Sequence, residues 1–239
     1  MRNTIEQQLI DSRPELLFRI NPAGELAGVN EPAEPDNDQA PKLYLFLGKK
    51  ECIVRKSVDL TDAWLQNLRN AIGQIVDNGD YASSEIEDLV YMSSRVFWKR
   101  ISVKSCFAFY IPKTDGFDDG VIEIDQNNKS CLQRNFPYAY VHLNYLAPLV
   151  ANVVNGEAVA ICRTVRRHSL ALECGVDTIA EFRGKGFGTE VARSWARKVW
   201  NINLIPCYSV HRENKASLAI VNKIGINRYG MDVTVDWLE

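Results

Sequence analysis

The chain has 239 residues, of which 46% are hydrophobic and 24% charged, and its formal net charge is −2. This composition is ordinary for a globular protein and offers no overall positive field for nucleic acid. No apolar run approaches the roughly 18 residues that a membrane helix needs, and the first residues lack the hydrophobic stretch of a signal peptide. We therefore expect no nucleic-acid partner, no membrane partner and no secretion.

Six cysteines are scattered along the chain, and no two of them form a CxxC pair. Zinc sites and disulfide frameworks use closer spacings, so the sequence predicts no metal and predicts free, mostly buried thiols. Such thiols are typical of the reducing cytoplasm, which is the location we expect.

Two hairpins are predicted near the start of the chain. Segment 16–29 turns at Asn21–Gly24, and segment 42–57 turns around Gly48. The stretch between them, 30–42, holds three prolines and four acidic residues, which is typical of an exposed loop.

Helices are predicted next, at 60–75 from apolar residues spaced three and four apart, and at 84–92. Segment 96–112 is aromatic and favours a β-strand. Residues 113–120 are the best candidate boundary. We therefore divide the chain into a β-rich and helical region, 1–115, and a core, 116–239, onto which that region packs.

The second half predicts an α+β fold with a mostly antiparallel, twisted sheet flanked by helices. Its first two strands are joined by Asn155-Gly156, a strong hairpin signal. The predicted elements, in order, are strands at 149–154, 158–165 and 169–178, a glycine loop, a helix at 189–202, a strand at 205–210, a helix at 214–224 and a strand at 229–237.

The glycine loop, RGKGFG at residues 183–188, precedes an amphipathic helix whose apolar stripe is Val191, Trp195 and Val199. Free N–H groups at a helix start, two cations and glycines that allow close approach form a cradle for phosphate. From 181 to 201 five Lys or Arg face two Glu, a local excess of three positive charges. Neither the P-loop nor the GxGxxG spacing is met. The loop could also be a turn that merely reverses the chain.

Two motifs carry a resemblance to a known family. Arg183-x-x-Gly186-x-Gly188, after VDTIAEF and before an amphipathic helix, resembles motif A of the GNAT superfamily of acetyl-CoA-dependent N-acetyltransferases. YSVHRENKASLAIVNKIGI, at 208–226, is similar to motif B of that family. The likeness is specific over 173–226, and it resembles a two-part bacterial branch with an atypical N-terminal half.

The resemblance implies a GNAT-like fold and a set of residues that bind acetyl-CoA. The backbones of Val176 and Thr178 would pair with the pantetheine arm, and Asn214 would lie near the cofactor. The pyrophosphate loop would consist of Arg183, Gly184, Lys185, Gly186, Phe187, Gly188 and Thr189.

Acetyl transfer also needs a proton for the leaving thiolate and a neutral amine. In many family members a tyrosine seven residues after the motif B asparagine supplies that proton, but here the position is Val221. Tyr208 is our candidate acid, with Ser209 and His211 as alternatives. Glu173 is our candidate base, acting through water on the amine; alternatively it is a solvent-facing strand residue.

Three arginines, Arg163, Arg166 and Arg167, are interpreted as a solvated face. The function we predict is N-acetyl transfer to a primary amine of a small molecule or protein. A noncatalytic acyl-CoA-binding module is the first alternative. A phosphoryl-transfer protein is the second, but Glu181 and Glu190 are poorly placed to hold Mg²⁺.

Overall fold

The computed structural model describes residues 4–31, 33, 39–49, 51–58, 60, 65, 100–113 and 120–238. The two helices predicted between 60 and 92 and most of the boundary predicted at 113–120 lie outside these residues. The strand predicted at 96–112 is described from residue 100 onward.

The described helices are α1 (Ile5–Leu17), α2 (Pro137–Val141), α3 (Leu143–Leu146), α4 (Phe187–Asn201) and α5 (Lys215–Ile224), with short 3₁₀ turns at Lys129–Leu132 and Ala180–Phe182. The strands are β1 (Phe18–Ile20), β2 (Leu26–Val29), β3 (Leu43–Gly48), β4 (Cys52–Lys56), β5 (Ile101–Tyr110), β6 (Val121–Glu123), β7 (Leu149–Val154), β8 (Glu157–Arg167), β9 (Ala171–Thr178), β10 (Ile205–His211) and β11 (Asn227–Trp237).

Within the described residues, nine strands form one sheet in the order β4-β3-β11-β5-β10-β9-β8-β7-β6, and β1 and β2 form a separate pair. Every neighbouring pair of described strands in the large sheet is antiparallel, except β9 and β10, which are parallel. The α+β fold with a mostly antiparallel sheet is therefore confirmed. Strand β5, from the first half of the chain, lies between β10 and β11 from the second half.

The predicted hairpins are also confirmed. β1 pairs with β2, β3 with β4, and β7 with β8, all antiparallel. Asn155 and Gly156 both have positive φ, at 52° and 82°, as the turn between β7 and β8 requires.

Helix α1 was missed by the sequence analysis, which interpreted the chain from residue 16 as strands and turns. Thr4 caps the helix by accepting from the N–H of Gln7, and its buried face includes Leu9, Arg13 and Leu16. Arg13 and Pro14 lie on that buried face, so the apolar spacing of three and four is interrupted. A buried arginine needs partners, and these are described below.

Helices cover the two faces of the sheet. On one face α4 packs through Val191, Trp195 and Val199, each 0% exposed, so the predicted stripe is confirmed. Trp195 Nε1 also donates to the carbonyl of Pro148, at 3.1 Å. On the other face α1 packs through Leu9 and Leu16, both fully buried. Among the described helices, none has the length and apolar character needed to cross a membrane.

Candidate functional site

The parallel strands β9 and β10 separate before either ends. They pair from Ala171↔Ile205 to Glu173↔Cys207. Beyond this point β9 continues to Thr178 and β10 to His211. Two parallel strands that stop pairing while both continue leave a gap whose sides are unpaired backbone.

The backbone of β9 shows which groups face this gap. The carbonyl of Leu170 accepts from Ile205 on the β10 side, whereas the N–H of Ile179 donates to Val159 on the β8 side, each at 3.0 Å. Backbone groups of successive strand residues alternate between the two neighbours, so those of Cys174, Val176 and Thr178 face the gap. An extended, amide-rich ligand can pair with such an edge.

A cavity of about 560 Å³ lies at the open end of the gap, within the size range of small-molecule sites. It is bounded by the ends of β9, the glycine loop, the N-terminal turn of α4 and one side of α5. Its lining residues are Val176, Asp177, Thr178, Phe182, Arg183, Gly184, Gly186, Phe187, Gly188, Thr189, Asn214, Ala216, Ser217, Ala219, Ile220 and Lys223.

Nine of the ten predicted cofactor residues lie on this cavity. Lys185 does not, and its ammonium lies over the ring of Phe182, 4.7 Å from the centroid. Lys223 lines the cavity instead and was missed. Its signal was its place on α5 seven residues after Ala216 and four after Ala219, which lie on the same side of the helix by the 3.6-residue period and also line the cavity.

The glycine loop has the conformation that a phosphate cradle needs. Gly184 and Gly186 have φ of +75° and +101°, a region that other L residues rarely adopt, and Gly186 caps α4. The first-turn N–H groups of a helix lack partners within the helix, and they carry its positive dipole end. Here that turn opens into the cavity.

Gly188 has a different role from Gly186. A Cβ atom added at Gly188 would lie 3.1 Å from Ile220 Cδ1 and 3.4 Å from Thr178 Oγ1. The glycine thus lets α4 approach α5 and β9 closely. Asn214 fixes the start of α5, because its Oδ1 accepts from the N–H of Ser217 at 3.1 Å.

Tyr208, the predicted acid, is 4% exposed and does not line the cavity itself. Burial raises the pKa of its hydroxyl, while the neighbouring side chain of Ser217 acts in the opposite direction. Ser217 does line the cavity. Val221, at the position of the family's usual tyrosine, is buried in the hydrophobic core.

Glu173, the predicted base, is 1% exposed, so the alternative of a solvent-facing strand residue is wrong. Arg13 donates to its Oε2 at 2.5 Å and Arg166 to its Oε1 at 2.7 Å. Burial alone would raise the pKa of Glu173, but the two guanidinium groups outweigh this effect and the pKa is lowered. The carboxylate is therefore ionised with both oxygens engaged, which leaves it poorly suited to accept a proton.

Arg13 is the centre of a buried polar network. Its Nε and Nη2 donate to the two oxygens of Asp232 at 3.0 and 2.6 Å, and Nη2 also donates to Ser209 Oγ. Ser209 in turn donates to Glu173 Oε2 at 2.9 Å, and Tyr44 donates to Asp232 Oδ1 at 2.8 Å. The network joins α1 to four strands of the sheet.

The interpretation of Arg163, Arg166 and Arg167 as a solvated face is wrong. Arg166 bridges Glu31 and Glu173, and Arg163 pairs with Asp177. Arg167 donates to backbone carbonyls. A run of cations in a strand does not reveal such partners, because they come from distant segments.

In the part of the chain that the structure describes, no three His, Cys, Asp or Glu residues are grouped so that they could hold a metal ion.

Comparison with known proteins finds a family model that matches part of the chain. Residues 150–230 match the family model "GNAT acetyltransferase", and this segment contains β9, the glycine loop, α4 and α5. Among curated proteins, none matches the chain significantly.

Solved structures of three bacterial proteins are similar to the chain. A GCN5-related N-acetyltransferase-like protein from Streptococcus suis is 15% identical, with 84% of this chain and 85% of that one covered and a TM-score of 0.49. A GCN5-related N-acetyltransferase from Sphaerobacter thermophilus is 11% identical, with 99% and 86% covered and a TM-score of 0.48. A GNAT-family acetyltransferase from Colwellia psychrerythraea is 11% identical, with 78% and 76% covered and a TM-score of 0.48. All three scores are below 0.5, so these likenesses carry no argument about activity.

Proposed function

Residues 150–230 match the GNAT acetyltransferase family, and on that premise we propose that the chain transfers the acetyl group of acetyl-CoA to a primary amine. The observation that supports this proposal best is the continuous path from the β9–β10 gap to the N-terminus of α4. A strand edge with unpaired amides leads directly into a glycine-lined cavity at a positive helix end.

Each part of the cofactor has a counterpart on this path. The pantetheine arm would pair with the backbone of Val176 and Thr178, and the pyrophosphate would lie over the loop of Gly184 and Gly186. Arg183 and Lys223 would add positive charge beside the phosphates. Arg183 Nε donates to the carbonyl of Thr178 at 3.0 Å, which holds this side chain at the mouth of the gap.

The reaction needs a polarised carbonyl and a proton for the thiolate. Backbone N–H groups on the β9 edge, at Cys174 or Val176, are the groups we assign to the carbonyl oxygen. A thiolate with a pKa of about 8.5 requires only modest acid assistance at neutral pH. Ser217 lines the cavity beside Tyr208, and we assign to these two hydroxyls a route by which a proton reaches the cavity.

The alternative is a module that binds acyl-CoA without turnover. It is favoured by Val221, which leaves α5 without the tyrosine of many relatives, and by the burial of Tyr208. The two functions are separated by adding acetyl-CoA and a panel of primary amines and following the release of free thiol. Amine-dependent release supports the enzyme, whereas micromolar binding of acetyl-CoA in calorimetry with no release supports the module.

Three further points belong to this proposal. The acceptor is a small molecule or a protein with a primary amine, the protein acts in the cytoplasm, and the chain divides at residue 115. The described sheet contains strands from both sides of that division, with β5 between β10 and β11. This arrangement supports our expectation that the N-terminal region packs on the core as one unit.

A further inference from the structure

Consecutive residues of β10 point to opposite faces of the sheet just beyond the last pair with β9. Tyr208 belongs to the hydrophobic cluster under α4 and α5, on the side of the cavity. Ser209 points to the side of α1, where it meets Arg13 and Glu173. A planar thioester is attacked perpendicular to its plane. With the cofactor cavity on the α4 and α5 side, the approach left for a nucleophile is from the side of Ser209.

The hydrogen bonds of Ser209 leave one position for a ligand. Its hydroxyl proton is donated to Glu173 Oε2 at 2.9 Å, and one lone pair accepts from Arg13 Nη2. A serine hydroxyl has one donor and two acceptor positions, so one lone pair remains. Ser209 is half-buried, unlike the fully buried Arg13 and Glu173. The remaining lone pair can accept a hydrogen bond from an N–H group, but the hydroxyl has no further proton to donate to a carbonyl.

Charge in the same network favours a particular kind of amine. The guanidinium groups of Arg13 and Arg166 face three carboxylates, those of Glu31, Glu173 and Asp232. Among the described residues, these two positive and three negative groups give the network, which includes the half-buried Ser209, a net charge of −1. A partly desolvated negative charge attracts a cation more strongly than bulk water allows.

We propose that Ser209 accepts a hydrogen bond from the attacking amine, and that the acceptor is an alkyl amine that attacks through a neutral nitrogen and carries a positive charge on another group. The inference rests on the proposed acetyl transfer. In that step the amine nitrogen bonds to the acetyl carbon, the carbon–sulfur bond breaks, one amine proton leaves to water and the thiolate gains a proton. Ser209 orients the nitrogen lone pair, while Arg13 and Glu173 are positioning residues that fix the Ser209 hydroxyl.

Three amines of equal length test the charge preference with the full-length protein and acetyl-CoA. We expect kcat/KM to fall in the order 1,5-diaminopentane, pentylamine, 5-aminopentanoate, because the negative network attracts the second ammonium group and repels the carboxylate. The first and last should differ about tenfold, which corresponds to roughly 1.4 kcal/mol of interaction. Equal values, or a preference for 5-aminopentanoate, overturn the inference and leave acetyl transfer standing. If no amine causes the release of free thiol, both the charge preference and the proposed acetyl transfer are overturned.

Ser209→Ala tests the contact itself. We expect kcat/KM for 1,5-diaminopentane to fall about 10- to 100-fold while the affinity for acetyl-CoA is unchanged, with recovery in Ser209→Thr, which keeps the hydroxyl. Tyr44→Phe is the matched control, since it removes a hydrogen bond to Asp232 from the same network without touching Ser209. Equal losses in Ser209→Ala and Tyr44→Phe, or no loss in Ser209→Ala, overturn the proposal. If Ser209→Ala does not fold, Ser209→Thr and the amine order decide.

Discussion

Arg13 on the first helix donates from Nη1 to Glu173 Oε2 on β9 at 2.5 Å, across 160 positions of the chain. Both side chains are 1% exposed. A charge buried at this depth is tolerated because its partner is present, and the loss of one partner leaves the other uncompensated. The pair therefore makes the packing of α1 a condition for the ionised state of Glu173.

Replacement of Arg13 by Met should destabilise the protein by about 3–5 kcal/mol, because Asp232 would lose its guanidinium partner and Glu173 would lose one of its two. Urea unfolding followed by fluorescence measures the change. Arg134→Met is the control, since the Arg134–Glu157 pair is largely exposed, and its unfolding midpoint should stay at the wild-type value. A small effect of Arg13→Met would show that water reaches the network.

Glu173→Gln should reduce stability at pH 7 and lose this effect in acid. The folded pKa of Glu173 lies below the usual value of 4.5, so its contribution is fully present above about pH 4.5 and is lost as pH falls through the folded pKa. The difference between wild type and variant in free energy of unfolding should therefore narrow below pH 4.5. Urea titrations between pH 3 and pH 7 check this, and a difference that is constant over this range contradicts it.

Gly186→Val and Gly188→Val should each abolish acetyl-CoA binding in calorimetry, for different reasons. At Gly186 a side chain would strain a backbone with φ of +101° and enter the phosphate cradle, and at Gly188 it would push Ile220 away. Gly156→Val is the control, because it has a similar φ of +82° in a turn away from the cavity. It should lower stability without changing affinity. Wild-type affinity in both loop variants would end the assignment of this loop to the cofactor.

Tyr208→Phe should lower kcat about 10- to 100-fold and leave the affinity for acetyl-CoA nearly unchanged. Ser217→Ala removes the second hydroxyl of this proposed proton route from the cavity side and should produce a similar loss. If the two residues act together, the double variant should be no slower than the slower single variant. Full activity in Tyr208→Phe would mean that the proton comes from Ser217 alone, His211 or water.

A chain that starts at residue 116 should be insoluble or much less stable than the full chain. Such a truncation removes β5, which pairs with β10 on one side and with β11 on the other. Both strands would then have exposed edges, and exposed edges promote aggregation. A soluble, monomeric fragment with the thermal midpoint of the full chain would contradict our view that the two regions form one unit.

Local patterns predicted the parts of the fold that depend on neighbouring residues. The Asn155-Gly156 turn and the stripe of Val191, Trp195 and Val199 each depend on residues within a few positions of one another. The glycine loop and the family resemblance together pointed to most of the residues that line the cavity.

The parts of the fold and of the site that the sequence analysis missed depend on contacts between residues far apart in the chain. Helix α1 was missed because Arg13 lies on its buried face, where the distant residues Glu173 and Asp232 neutralise its charge. The insertion of β5 between β10 and β11 depends on pairings that no local pattern records. Ser217 and Lys223 required knowledge of which side of α5 faces the cavity.

The place of β11 has a consequence for synthesis on the ribosome. This strand lies between β3 and β5 and pairs with both. The ribosome synthesises β3 and β5 more than 110 residues before β11. Until residue 237 has left the exit tunnel, β3 and β5 each present an open edge, and long-range pairings of this kind form slowly. The native pairing of β3 and β5 therefore forms only after β11 has been synthesised. A chaperone that shields strand edges should raise the yield of native protein.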